Sequence, residues 1–261
     1  MTSSSLTSST SIPDEIAQKL RAAQHIAVMT GAGVSAESGI ATFRDALTGL
    51  WANFKAEDLA TPQAFVRDPA LVWGWYEWRR AQVMQTQPNA GHIALAAMAR
   101  QVPQLTLITQ NVDDLHERAG SSAVLHLHGS ILAARCFDCG FPYQHRASLQ
   151  QDHAKLAPPV CPECGGAVRP GVVWFGENLP HDVWQEAERA VRECDVLIIA
   201  GTSGVVYPAA GLAELAFRKR KTIIQINPQA TNQDKFASLV MTGPSGVCLP
   251  QLLAAAWPEL R

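Results

Sequence analysis

Short apolar runs punctuate the chain. HIAVMT (25–30), LTLIT (105–109), VLHLH (124–128), DVLIIA (195–200) and TIIQI (222–226) are rich in branched residues and bounded by turn signals. Each is too short for a helix, and each reads as a strand covered on both faces. Between most of them apolar positions recur at helical spacing, over 89–100, 112–119, 181–193 and 208–220. Another helix is expected to start at Ser11-Ile12-Pro13-Asp14, with Ile16, Leu20 and Ala23 on one face. Strands alternating with helices predict an α/β fold, a doubly wound and mostly parallel sheet. Residues 131–170 break the rhythm, with irregular, turn-rich sequence around two CxxC pairs. The expected organisation is a disordered tail at 1–12, a doubly wound domain from 13–130 and 171–261, and a small inserted module at 131–170.

Composition narrows the class. At 261 residues, 47% hydrophobic and 17% charged, the chain can bury a sizeable core. A net charge of −2 gives no electrostatic reason to expect direct nucleic-acid or membrane-surface binding. No apolar run approaches the roughly 18 residues of a membrane span. The first eleven residues hold nine Ser or Thr and neither an apolar signal core nor the arginines of a presequence, so a cytoplasmic protein is expected.

The strand ends carry the candidate chemistry, because ligands of open parallel sheets sit at the carboxyl ends of their strands. TGAGVSAESGIATFRD (30–45) follows the first strand. Gly31 and Gly33 permit tight turning and close backbone approach to a phosphate, although the third glycine of GxGxxG is replaced by Ala36. The small polar stretch runs on through Ser35 and Glu37 to Phe43 and Arg44, longer than an ordinary turn, as in a loop that covers a ligand. Gln110, Asn111 and Asp113 follow the second strand, where they suit ribose hydroxyls or a carboxamide; Asn111 is also placed to cap a helix. In LHLHGS (125–130) alternation puts His126 and His128 on one face, with His128 better placed as a general base. GTSG (201–204) and INP (226–228) end two further strands.

Cys136 and Cys139 form one CxxC pair, Cys161 and Cys164 the other, 21 residues apart. Four thiolates in turn-rich sequence suit one structural Zn2+. Cys194 and Cys248 read as small buried apolar residues.

GAGVSAESGIATFRD, TQNVDDLH, HGS, the paired CxxC, PGVVWFGE, GTS and INP, in this order, resemble the sirtuin family over about residues 20–250. The resemblance implies a large Rossmann-like NAD-binding domain with a small zinc module and an acyl-lysine peptide in the cleft between them. It implies NAD-dependent protein deacylation that yields nicotinamide, free lysine and 2′-O-acyl-ADP-ribose. It makes His128 the catalytic base, with Asn111 and Asp113 at the nicotinamide end and Gln110 on ribose. Gly31, Ala32, Gly33, Ser35, Glu37, Phe43 and Arg44 would line the cofactor in the first loop, Gly201, Thr202, Ser203 and Asn227 in the later ones. Val172 and Val173 fall where the family pairs its backbone with the substrate as an added strand. Gly204 departs from the pattern, since many members carry a larger residue there, and GPSG (243–246) has no close match.

VWGWYEWRR (72–80) is similar to members that prefer negatively charged acyl groups, which carry Tyr-x-x-Arg here and a small residue at the position of Ala60. Tyr76 and Arg79 would then grip the distal carboxylate of succinyl- or malonyl-lysine, a planar fork meeting a carboxylate. The bland alternative packs Tyr76 with Trp73 and Trp75 and leaves Arg79 and Arg80 in solvent. Two other activities fit the same motifs, plain lysine deacetylation and mono-ADP-ribosyl transfer. A monomer is expected.

Overall fold

The computed structural model describes residues 12–40, 59–145 and 155–260. Its centre is a parallel sheet of six strands in the order β3-β2-β1-β7-β8-β9. These are β1 (His25–Thr30), β2 (Gln104–Thr109), β3 (Leu125–His126), β7 (Val196–Ala200), β8 (Thr222–Asn227) and β9 (Leu239–Thr242). Every residue of β1 and β7 is buried, as expected of near-continuous apolar runs with helices on both faces. Alternation still sorts their side chains. Ile26, Val28, Val196, Ile198 and Ala200 face one core, and Ala27, Met29, Leu197 and Ile199 face the other.

Three helices cover the first face: α1 (Asp14–Ala22) with Leu20, α5 (Ala90–Met98) with Leu95, and α9 (Ser245–Ala256) with Leu249 and Leu252. Two cover the second: α7 (His181–Glu193) with Ala187 and Val191, and α8 (Gly211–Arg218) with Leu212 and Ala216.

A second, three-stranded antiparallel sheet has the order β5-β4-β6, built from β4 (Gly129–Cys136), β5 (Pro142–Tyr143) and β6 (Val168–Val172). Against it pack α3 (Pro62–Arg67) and the 17-residue α4 (Pro69–Gln85). Thr61 and Asp68 start these helices by accepting the backbone N–H groups of Ala64 and Leu71. The apolar cluster between them contains Ala60, Phe65, Trp75, Tyr76, Ile131, Val172 and Trp174.

Several sequence expectations change. The strand expected at 124–128 stops at His126, because the chain turns at 127–128 into β4. The helix expected at 112–119 shrinks to α6 (Leu115–Arg118), whose N-cap is Asp114 rather than Asn111; Asp114 makes no side-chain cap, and Leu115 N–H donates instead to the Asp113 carboxylate at 3.1 Å. The long covering loop after β1 is partly helical, as α2 (Ala32–Ala36). Pattern reading also passed over α4 and α9. The first is apolar on most faces and so has no stripe, and the second carries Pro250 in its interior.

Candidate active site

Chain order reverses between β1 and β7, so the carboxyl ends of these strands form the crevice of the sheet. The loops after both strands meet there. Gly31 N–H donates to Ala200 O at 3.1 Å and Gly33 N–H to Gly201 O at 2.8 Å. A Cβ on Gly33 would lie 2.8 Å from Gly201 Cα, and one on Gly201, whose φ is +62°, would lie 2.4 Å from Val34 N. The close approach permitted by these glycines is therefore between the two loops, with Ala32 opening α2 beside them. Gly204 also holds a left-handed φ of +68°, and a Cβ there would meet Gln233, which accounts for glycine where a larger residue was expected.

Gln110 Nε2 donates to Thr202 Oγ1 at 3.1 Å, joining the end of β2 to the loop after β7. Ser203 is exposed beside it, and Asn227 at the end of β8 donates to Gln229 O. Glu37 reaches the other way, its carboxylate accepting Gly246 N–H at 2.8 Å in the otherwise unmatched 243–246 segment.

Under the crevice lies a buried polar network. Ser35 Oγ donates to Asp113 Oδ2 at 3.0 Å and accepts from Asn111 Nδ2 at 3.0 Å. Burial raises the Asp113 pKa, and the hydrogen bonds from Leu115 and Ser35 oppose it only in part. His92 Nε2 stands 3.5 Å from Ser35 Oγ, and its ring packs 4.8 Å from that of His116. Asn89 N–H donates to His92 Nδ1 in a capping box, so the proton of His92 resides on Nε2. Thr30 Oγ1 donates to Thr109 Oγ1 at 2.9 Å and meets His116 Nε2 at 3.0 Å. Burial drives His92 down to about 4 and His116 to about 3, so both are neutral at pH 7. His92, His116, Thr30 and Thr109 were missed in the sequence. Only the Asn-x-x-His spacing at 89–92 carried a signal, that of a helix start.

His128 directs Nδ1 at Gln110 O, 2.9 Å away, and Val173 N–H donates to His128 O at 2.8 Å. Burial lowers the His128 pKa, partly offset by Gln110, so the ring is a neutral imidazole. With its proton on Nδ1 it presents Nε2 as a base. His126 lies two residues earlier with Nδ1 3.2 Å from Asn111 O and Nε2 2.6 Å from Glu117 Oε1. The two rings thus serve adjacent carbonyls although the strand ends between them.

Tyr76 and Arg79 lie three apart on α4, and both are buried. Tyr76 joins Ala60 and Val172 in the apolar cluster and accepts Trp174 Nε1–H at 3.0 Å. The Arg79 guanidinium stands 5.3 Å over the Trp75 ring. Burial lowers its pKa, while Tyr76 and Asp113 act to raise it. The bland alternative is right about the Tyr76–Trp75 packing and wrong about solvent. Arg80 is also buried, donating to Ile131 O at 2.7 Å and paired with Glu77. Arg169, missed in the sequence, lies 3.4 Å over Trp174 and grips Glu177, whose carboxylate accepts Trp174 N–H.

The four cysteines converge, with all Sγ atoms within 4.8 Å of one another. Cys136 and Cys164 are 3.4 Å apart, Cys139 and Cys161 3.7 Å, far from disulfide length. A tetrahedral zinc with bonds of about 2.3 Å separates its sulfurs by about 3.8 Å, so the set fits the ion. Cys194 and Cys248 are buried elsewhere in the cores. Phe43 and Arg44 lie outside the described residues.

The crevice at the switch point, the neutral imidazole beside it and the four-thiol centre define a dinucleotide-using enzyme with a structural metal. A family model described as the Sir2 family matches residues 31–208, and the chain belongs to that family. It is 52% identical over 245 residues, 93% of this chain and 96% of the relative, to an NAD-dependent protein deacylase of Methylococcus capsulatus (strain ATCC 33009 / NCIMB 11132 / Bath). Among solved structures it matches a Sir2 homolog–NAD complex with a TM-score of 0.88 and 43% identity, covering 96% of each chain. A mutant Sir2 homologue in complex with 2′-O-acetyl ADP ribose matches with a TM-score of 0.86 and 43% identity, covering 95% of this chain and 98% of that one.

Proposed function

We propose that this chain is an NAD-dependent protein-lysine deacylase that prefers acyl groups ending in a carboxylate, succinyl and malonyl, with weaker deacetylase activity. NAD-dependent deacylation is supported by the 52% identical relative of that name and by the donor set at the crevice. The acyl preference rests on one observation: Tyr76 and Arg79 share a face of α4 in a buried site that also holds Ala60 and Val172.

NAD supplies an electrophilic ribose carbon that takes the acyl oxygen as nicotinamide leaves. The chain's residues prepare that exchange. Asn111 and Asp113, tied through Ser35, hold the nicotinamide end, and Gln110, fixed by Thr202, holds ribose. Gly31, Gly33, Gly201, Thr202, Ser203 and Asn227 line the rest of the cofactor site. His128 Nε2 takes a ribose hydroxyl proton, and the 2′-O-acyl product that follows matches the ligand of the solved homologue. Burial around Asn111 and Asp113 keeps water from the reacting carbon. The β6 strand lies at the edge of its sheet and leads into Val173, which suits addition of a substrate strand. Val173 N–H is committed to His128 O and Val172 O accepts from Arg169 Nη2, so both groups are already engaged without a substrate. Cys136, Cys139, Cys161 and Cys164 would hold zinc, which fastens β4 to the 161–166 turn.

The proposal also has a module at 131–170 set into an NAD domain, and a monomeric cytoplasmic enzyme, in keeping with six unpaired cysteines.

The experiment is turnover of one peptide carrying succinyl-lysine or acetyl-lysine, with NAD, by wild type and Arg79→Met. Wild type should favour the succinyl peptide, and the variant should lose that activity by roughly 10- to 150-fold while keeping deacetylation. Wild-type preference for acetyl would make this a plain deacetylase. Protein ADP-ribosylation without acyl-lysine would make it a transferase.

A further inference from the structure

The two histidines of LHLH differ in what faces them. His128 has one carbonyl partner at Nδ1. His126 has an acceptor at each nitrogen, the Asn111 carbonyl at 3.2 Å and the Glu117 carboxylate at 2.6 Å. Neither acceptor carries a proton to give, and a neutral imidazole has only one N–H, so it would leave one contact unmade. An imidazolium donates to both.

We infer that His126 is held as an imidazolium and acts as a positioning residue, tying the Asn111 backbone to α6 through Glu117 so that the Asn111 amide stays on Ser35 at the cofactor crevice. The inference rests on the reading of Asn111 as an NAD contact. Its surroundings agree. Burial opposes the charged ring, yet the Glu117 hydrogen bond and charge, the Asn111 carbonyl and the Asp113 charge leave the pKa raised. Glu117 is itself lowered, His126 overcoming its burial. The remaining titratable neighbour that feels this charge is His116 of α6, which is neutral. His128 carries no charge to compete. One strand end thus presents a charged strut and a neutral base to two adjacent residues.

The sign follows from the partners. The strut is complete below the raised pKa of His126, down to the pH at which Glu117 itself takes up a proton, and it loses one hydrogen bond as pH rises through that raised pKa. The KM for NAD should therefore climb on the alkaline side, with kcat at saturating NAD changing much less. Two variants separate this from a general loss of structure. In Glu117→Gln the acceptor stays but the charge goes, so the alkaline rise in KM should begin about one pH unit lower. In His126→Gln a donor stays but cannot titrate, so that rise should vanish, leaving a KM raised at every pH.

The test uses the full-length enzyme with 15N-labelled histidine. NMR at pH 7 should show both His126 nitrogens protonated, assigned by their loss in His126→Gln, and His128 with a single proton on Nδ1. Steady-state KM for NAD is then measured across pH 6–10 for all three proteins. A neutral His126 at pH 7, or superimposable KM profiles for wild type and the two variants, would overturn the inference. Should Glu117→Gln not fold, the His126→Gln profile alone decides. Failure of the underlying site reading looks different, because Asn111→Ala would then keep a wild-type KM for NAD.

Discussion

Trp174 donates its indole N–H to the Tyr76 hydroxyl at 3.0 Å, in the buried cluster beneath α4. The phenol oxygen is therefore already engaged as an acceptor, and its own O–H is left to donate. Burial pushes the Tyr76 pKa well up despite Trp174 and the nearby guanidinium groups of Arg79 and Arg169, so that proton stays on at any working pH. Tyr76→Phe removes the hydroxyl that the proposed clamp would offer an acyl carboxylate, and it removes a partner from Trp174. Succinyl-peptide kcat/KM should fall roughly tenfold, with acetyl-peptide turnover nearly unchanged. The orphaned indole should cost about 1–3 kcal/mol, read as a lower Tm.

His128 must be neutral to act as a base, and burial has already lowered its pKa. Catalysis should therefore hold to a pH below that of an ordinary histidine and fall only as pH drops through the lowered pKa. His128→Ala should cut kcat by about 100-fold or more with little change in Tm, measured by single-turnover formation of the acylated ADP-ribose.

Acid should destabilise the fold through the network under the crevice. His92 and His116 have depressed pKa values, about 4 and about 3, because charging them inside the protein is costly. Their contribution is present above the unfolded pKa of about 6.5 and is lost as pH falls toward these folded values. Protonation of His92 alone should remove about 3 kcal/mol of stability. His92→Gln keeps a polar group at the helix start and should flatten the fall in Tm between pH 6.5 and 4.

Metal content should be one zinc per chain, measured by atomic emission, and Cys139→Ser should lose it. Because β4 carries both Cys136 and Ile131, chelation should lower Tm and weaken binding of the acyl peptide before it affects NAD binding, both read by calorimetry.

Gly201→Ala sets a methyl against Val34 N at a φ of +62°. The strain alone costs about 1–3 kcal/mol, and the loops after β1 and β7 must separate. The KM for NAD should rise more than that for peptide.

Much of this was legible in the chain, and the exceptions have physical causes. Both β1 and β7 announced themselves because a buried parallel strand is apolar throughout. By contrast α4 stayed hidden because a helix enclosed on most sides loses its polar stripe, and Arg79 and Arg80 disguised burial as a solvent face. Order along the chain set Gly31, Gly33, Gln110 and Gly201 just after strands, where the structure has them. It could not reveal that Gly33 meets Gly201 across 168 positions, or that Asp113 acts on Arg79, since both depend on packing between distant elements. The His126–Glu117 pairing stayed out of view for the same reason, since it depends on how the segment between α6 and β3 folds back.

Only Leu127 and His128 lie between the last residue of β3 and the first of β4, so a single dipeptide bridges the large sheet and the small one. The small sheet is thus not a detachable accessory. A transplant of it into another scaffold, or an exchange with a relative, would carry its upstream joint within one peptide bond of the base. Chimeras of this enzyme should keep β3, Leu127, His128 and β4 on one side of any junction. A junction at the obvious seam would sever the reaction from the site that it serves.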